Sequence, residues 1–111
     1  MPKELPRLFC DNLGIWREDK PGQLFGVKWD EITSICGYKL DGITEVYTVL
    51  ELGDESGHWQ ELNAAWPGFD DVTQTITARL PIPSGWLAEL DRMNPQQTPV
   101  TFWQKSQTSL S

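Results

Sequence analysis

The chain lacks any cluster of basic residues. Nine of its 111 residues are lysine or arginine, against sixteen aspartates and glutamates, so the net charge is −7. A nucleic-acid-binding protein needs a basic footprint to displace phosphate counterions, and binding to an anionic membrane surface needs a polybasic segment. The composition therefore excludes both kinds of partner. It favours another protein as the partner, with a basic surface as the best electrostatic match, and it leaves the oligomeric state open.

The chain also lacks long apolar runs. No segment approaches the length of a membrane span, and the first residues, MPKELPRLFCDNLG, contain no apolar run of signal-peptide length. Cysteine is scarce as well, with only Cys10 and Cys36. Because we find no export signal, we expect a cytoplasmic protein with two free thiols, although the sequence leaves their redox state open.

A second histidine is missing, so His58 cannot belong to a histidine-rich metal site. His58 could act as a general base, because its side chain titrates nearest to neutral pH. In a regular strand it would share a face with Gln60, while Glu61 would point to the opposite face. The chain also has no Gly-rich phosphate loop, no CxxC motif and no recognisable Ser/His/Asp arrangement. We therefore predict no catalytic residue, no cofactor and no metal site.

Asp70 and Asp71 are the remaining candidates for paired catalytic carboxylates. Adjacent residues at the start of a helix point about 100° apart, so they do not converge on one substrate atom. Helix capping explains both residues, with Asp70 as the predicted N-cap and Asp71 in the first turn, where the helix dipole favours a negative charge.

Six short segments have the alternation or the composition of β-strands. In the third segment, Phe25, Val27 and Trp29 share one face. The fifth is apolar on both faces, which is typical of a central strand. Asp41-Gly42 is a dipeptide typical of tight hairpins, and the brief polar turns between segments indicate an antiparallel meander. The six segments span residues 7–12, 13–18, 24–32, 34–40, 44–52 and 58–66.

The apolar period then changes from two to about 3.6. Phe69, Val72, Ile76 and Leu80 lie three, four and four residues apart, which predicts a helix that ends before Pro81.

Two further elements and a tail follow this helix. A shorter helix is predicted over 84–93 with Ser84 as its cap, and a last strand over 98–105. The polar residues 106–111 are expected to form a flexible tail, which leaves a single domain over 1–105.

Six tryptophans are an unusual number for a chain of this length. Truncating a buried tryptophan costs roughly 3–5 kcal/mol, so most of the six should lie in the core. Trp29, Trp103 and the neighbouring Phe102 fit core positions in strands. Tryptophan is also enriched at binding hot spots, and the candidates for a partner surface are the other four. These four are Trp16, Trp59, Trp66 and Trp86.

With its elements in this order, the chain resembles a bacterial pleckstrin-homology-like (PH-like) domain. The matching features are a GI strand, the segment VKWDEITSI around Asp30-Glu31, a long apolar strand, the turn GDESG, another strand and a helix. PGFDDV before the helix and FWQK after it are also similar to segments of small bacterial proteins of this kind. The resemblance covers residues 8–104 and implies an α+β fold. That fold is an antiparallel β-roll or barrel of five to seven strands closed by a carboxy-terminal helix, with a short extra helix and a last strand here.

The resemblance implies binding in place of catalysis, since PH-like domains mostly bind phosphoinositides, peptides or proteins. The early loop that presents basic residues to lipids corresponds here to REDKPGQ, where Arg17 and Lys20 stand beside Glu18 and Asp19. We therefore do not extend phosphoinositide binding to this chain. The leading prediction is a non-catalytic, protein-binding module of immunity or regulatory type. The alternatives are a small-ligand or lipid-binding barrel and, less favoured, a small enzyme that uses His58.

Overall fold

Two antiparallel sheets and two helices make up the protein in a computed structural model that describes residues 5–105. A 3-10 turn, Trp29–Glu31, lies between the third and fourth strands. In chain order the strands and helices are β1 Arg7–Cys10, β2 Gly14–Lys20, β3 Gln23–Lys28, β4 Ile32–Asp41, β5 Val46–Asp54, β6 Trp59–Asn63, α1 Phe69–Arg79, α2 Trp86–Arg92 and β7 Val100–Gln104.

The first sheet is a meander in the order β1-β2-β3. Ile15 of β2 pairs with Cys10 on one side and with Val27 on the other. Leu8, Ile15 and Val27 are buried, so this face of the sheet is directed at the core. The β2–β3 turn contains Gly22 at φ 84°, a backbone angle that glycine adopts without steric cost.

The second sheet has the order β6-β5-β4-β7, so the last strand returns after both helices to pair with β4. The β4–β5 hairpin is long, and its turn differs from the predicted tight Asp41-Gly42 turn. β4 ends at Asp41 and β5 begins at Val46, with the N–H of Gly42 donating to the carbonyl of Glu45 at 2.8 Å. Since Gly42 does not have a positive φ, the type I′ geometry of a two-residue hairpin is not formed.

Helix α1 begins earlier than the sequence predicts, and Asp70 is not its cap. The N-cap is Gly68, which has φ 93° and leaves Asp70 and Asp71 in the first turn without a side-chain capping bond. Tertiary contact explains the difference. The Leu8 N–H donates to the Pro67 carbonyl at 2.7 Å, and a Cβ on residue 68 would clash with the Leu8 carbonyl oxygen.

The predicted cap of α2 was also wrong. Gly85 takes the N-cap position in place of Ser84, again without a side-chain hydrogen bond.

The core lies between the inner faces of the sheets and the helices. Trp86 is 1% exposed, packs against Phe102 with ring centroids 5.7 Å apart, and donates its indole N–H to the Thr77 hydroxyl at 3.0 Å. Gly37 has no side chain beneath Leu90 and Phe102, so α2 and β7 can lie close to β4. The apolar stripe of α1 is buried as predicted at Phe69, Val72 and Ile76, while Leu80 is half-buried.

The sequence pattern predicts that Trp29 continues the alternation of Phe25 and Val27. In the structure it does not. β3 ends at Lys28, and Trp29 lies in the 3-10 turn, where its main-chain N–H donates to Leu13 O at 2.9 Å. Its indole N–H donates to the Asp11 carbonyl at 2.8 Å. The side chain is half-buried against the core, held by this bond and not by strand pairing.

The α+β class is confirmed, and all predicted strands and both helices are present within a few residues of their expected bounds. The residues from 5 to 105 form two separate sheets and no closed barrel, since no strand pairing joins the two. None of the helices in this range is long and apolar enough to cross a membrane. The predicted tail, 106–111, lies outside the described residues.

Candidate binding face

The four candidate tryptophans differ sharply in exposure. Trp86 is a core residue and is out of reach of any partner. Trp66 is half-buried against the core. Trp16 is half-buried and donates its indole N–H to Asp11 Oδ1 at 2.9 Å. Trp59 is 51% exposed, which makes it the most accessible of the four.

The turn before Trp59 brings His58 near a serine and an aspartate. Ser56 Oγ lies 2.6 Å from Asp54 Oδ1 and 2.9 Å from His58 Nδ1. In a catalytic triad the histidine stands between the other two groups, whereas here the serine does, and its proton is directed at the carboxylate. Both bonds lie in an exposed turn and close it.

Asp54 organises this turn. Its side chain accepts bonds from the main-chain N–H groups of Ser56 and His58 at 2.9 and 3.0 Å. The hydrogen bond from the Ser56 side chain, with these backbone bonds, lowers the pKa of the Asp54 carboxyl. The arrangement stabilises the turn and does not provide a nucleophile.

The exposed surface around Trp59 is one face of the four-stranded sheet. In antiparallel strands, opposed residues point to the same face, and alternate residues along a strand share it. Gly37 and Leu50 point to the core, so the residues next to them in sequence point outwards. We call this surface the outer face. From β4 to β7 it contains Ser34, Cys36, Tyr38, Leu40, Tyr47, Val49, Glu51, Gly53, Trp59, Glu61, Asn63 and Thr101.

Trp59 packs closely against the neighbouring strand because its opposed residue is glycine. Gly53 pairs with Trp59, and two carbons of the indole ring lie 3.1 and 3.2 Å from where a Cβ on Gly53 would stand. Ser34 Oγ lies 2.7 Å from the same point, and Ser34 is 9% exposed. The ring therefore presents an exposed aromatic surface at one end of the outer face.

Two glutamates oppose each other in the next row along the sheet. Glu51 of β5 pairs with Glu61 of β6, and such opposed side chains have Cβ atoms about 4.5–5.5 Å apart. Partial burial, and secondarily the negative charge of Glu61, raises the pKa of the Glu51 carboxyl. Within residues 5–105, the ion pairs involve Glu18, Asp19 and Glu55, so neither Glu51 nor Glu61 has a cationic partner there.

Apolar and aromatic side chains continue the outer face towards the β4–β5 turn. Tyr38 pairs with Val49, and Leu40 pairs with Tyr47. Val49 is buried yet lies outside the main core cluster, and Leu40 is 48% exposed. Partial burial, followed by the charges of Glu51 and Glu61, raises the pKa of the Tyr38 phenol. The face thus combines a negative centre with aromatic surfaces at both ends.

The surface also has open grooves lined by both polar and apolar groups. One of about 450 Å³ is lined in part by Arg7, Glu18, Asp19 and Lys20. Another of about 370 Å³ lies along the turn that precedes α1. Small-molecule sites are mostly enclosed, so these open grooves offer a weaker recognition surface than the outer face.

The remaining reactive groups are the possible metal ligands and the two cysteine thiols. Among the described residues no group of three or more His, Cys, Asp or Glu side chains could hold a metal ion. Cys10 and Cys36 are both free, as predicted, and Cys36 Sγ lies 3.4 Å from the Thr101 hydroxyl on the outer face.

Comparison of the chain with protein-family models, with curated proteins and with solved structures finds no match.

The sequence pointed to Trp59 but missed the glutamates beside it. Glu51 is the one carboxylate within the run VYTVLEL, a strand expected to be apolar on both faces, and that was an available signal. The opposition of Glu61 to Glu51 depends on strand register, which the local pattern did not provide.

Proposed function

We propose that the protein is a non-catalytic interaction module that binds another protein, one with a basic surface, through its outer face. The observation that carries this proposal is the opposed pair Glu51 and Glu61, which lies beside the exposed ring of Trp59 without a cation from the described residues. Two adjacent like charges destabilise a sheet, and a cationic partner relieves that repulsion.

The composition of the outer face supports protein binding in particular. Interfaces are enriched in aromatic side chains, and tryptophan and tyrosine are frequent among the residues that dominate binding energy. Trp59, Tyr38 and Tyr47 supply such side chains on a rigid sheet, where they lose little entropy on binding. The net charge of −7 steers association towards a basic partner.

The PH-like class is part of this proposal. Antiparallel strands followed by a helix support it, and PH-like modules bind more often than they catalyse. The separate sheets, and the pairing of β7 with β4 after both helices, depart from the simplest PH-like pattern. An immunity-type or regulatory protein is the form of module we favour.

Capture from native lysate with matched variants tests the proposal. Glu61→Lys reverses a charge on the outer face, whereas Glu89→Lys makes the same change on the exposed surface of α2. We expect wild type and Glu89→Lys to capture the same protein in stoichiometric amount, and Glu61→Lys to lose it. Absence of any stoichiometric protein, or equal capture by both variants, contradicts the proposal.

A further inference from the structure

Arginine side chains already rest on aromatic rings at three places in this protein. Arg7, Arg17 and Arg79 place their guanidinium carbons 4.9, 5.1 and 4.9 Å from the ring centroids of Phe9, Phe25 and Trp29. Trp59 is a comparably accessible ring, and no cation of residues 5–105 lies over it.

We propose that the partner presents an arginine side chain that stacks on Trp59 and donates hydrogen bonds to Glu51 and Glu61. This inference rests on the proposed function and specifies the chemistry that the outer face recognises. The occupant is an arginine-bearing segment of a protein, and lysine-bearing segments bind more weakly.

The heights of the side chains above the sheet suit a planar group. The Trp59 ring packs over Gly53 on the neighbouring strand and is half-exposed, so a group in contact with its open surface sits further out from the sheet. Glutamate side chains in strands stand roughly perpendicular to the sheet, which brings their carboxylates to about the same level. The rows of Trp59 and Glu61 are two residues apart, about 7 Å along the strand.

The number and direction of donors favour arginine over lysine. A guanidinium has five N–H donors in a fixed plane, so one group can bond two carboxylates on adjacent strands while its face rests on an indole. A lysine ammonium is a compact and strongly hydrated charge that stacks less well. Burial, and secondarily the charge of Glu61, raises the pKa of the Glu51 carboxyl, and no cation among the described residues pairs with it.

Labelled hexa-arginine and hexa-lysine peptides test the inference, because they carry equal charge and differ in the cationic group. Anisotropy titrations should show that wild type binds hexa-arginine about two- to fivefold more tightly than hexa-lysine, the gain typical of an exposed cation–π contact. Trp59→Leu and Glu61→Gln should each remove this preference. Glu89→Gln loses the same charge on α2 and should weaken both peptides alike while the preference stays.

Two results overturn the inference: equal affinity of wild type for the two peptides, or loss of the preference in Glu89→Gln as complete as in Glu61→Gln. Its failure can be told apart from failure of the proposed function. Equal peptide affinities together with Glu61-dependent capture from lysate reject arginine recognition and retain protein binding by the outer face. A clear arginine preference without Glu61-dependent capture supports the guanidinium site and rejects the proposed function.

Discussion

The indole ring of Trp59 lies directly over Gly53 on the neighbouring strand, with ring carbons 3.1 and 3.2 Å from the point where a Cβ would stand. This contact fixes the direction of the most exposed candidate tryptophan. The binding face therefore depends on glycine at position 53, because any larger residue there pushes the ring away from the sheet.

Gly53→Ala should therefore displace Trp59. The new methyl group meets the ring and also Ser34 Oγ, 2.7 Å from the Cβ position, so we expect a destabilisation of about 1 kcal/mol. In NMR spectra the indole N–H resonance of Trp59 should shift, whereas in Gly85→Ala it should not, since nothing lies within 4 Å of that Cβ position. An unchanged Trp59 resonance in Gly53→Ala rules out the contact.

Glu51→Gln should stabilise the protein at neutral pH. The folded pKa of Glu51 is raised above its usual value, so the protonated form favours folding and ionisation opposes it. The gain should lie low in the range of roughly 0.2–1 kcal/mol for opposed like charges, because solvent screens both groups. Urea denaturation across pH measures it.

The pH dependence of the stability difference tests the sign of this prediction. The stability that the raised pKa contributes is fully present at pH values below the pKa of Glu51 in the unfolded chain. It is lost as the pH rises through the pKa of Glu51 in the folded protein. The advantage of Glu51→Gln over wild type should thus vanish in acid and grow on the way to neutral pH. A difference that is constant with pH contradicts the assignment. Glu61→Gln should reduce the pKa shift of Glu51 only in part, because burial is the larger cause.

The same substitution at two tryptophans should have very different costs. Trp86→Ala should lower the free energy of unfolding by about 3–5 kcal/mol, because this buried side chain packs against Phe102 and bonds Thr77. Trp59→Ala should cost less than about 1 kcal/mol, since half of the side chain is exposed. Chemical denaturation compares them, and similar costs would contradict the assigned burial of these residues.

Gly68→Ala should destabilise the protein more than Gly22→Ala. Both glycines have positive φ, 93° and 84°, which costs an alanine about 1–2 kcal/mol. Nothing lies within 4 Å of a Cβ at 22, whereas a Cβ at 68 meets the backbone carbonyl of Leu8. Thermal unfolding of the two variants separates backbone strain from the clash. Equal losses would show that the close approach to Leu8 adds nothing.

Much of the fold could be predicted from sequence because it depends on local periods. Alternation with period two placed the strands, and the spacing from Phe69 to Ile76 placed α1 with its buried stripe. Burial of Phe102 in the last strand was also confirmed. The predicted cap of α1 failed because Gly68 is selected by contact with Leu8, sixty positions away in the chain, and not by neighbouring side chains.

The sequence by itself determined the α+β class, the order of the elements and the acidic charge, since these follow from local pattern and composition. Only the tertiary structure decided how far each tryptophan is exposed, because the side chains that cover Trp86, such as Phe102, come from other elements. It also decided that Glu51 faces Glu61, since strand register is set by pairing and by the turn between β5 and β6. The binding face therefore arises from strand pairing, which brings together residues that the local sequence pattern treats as unrelated.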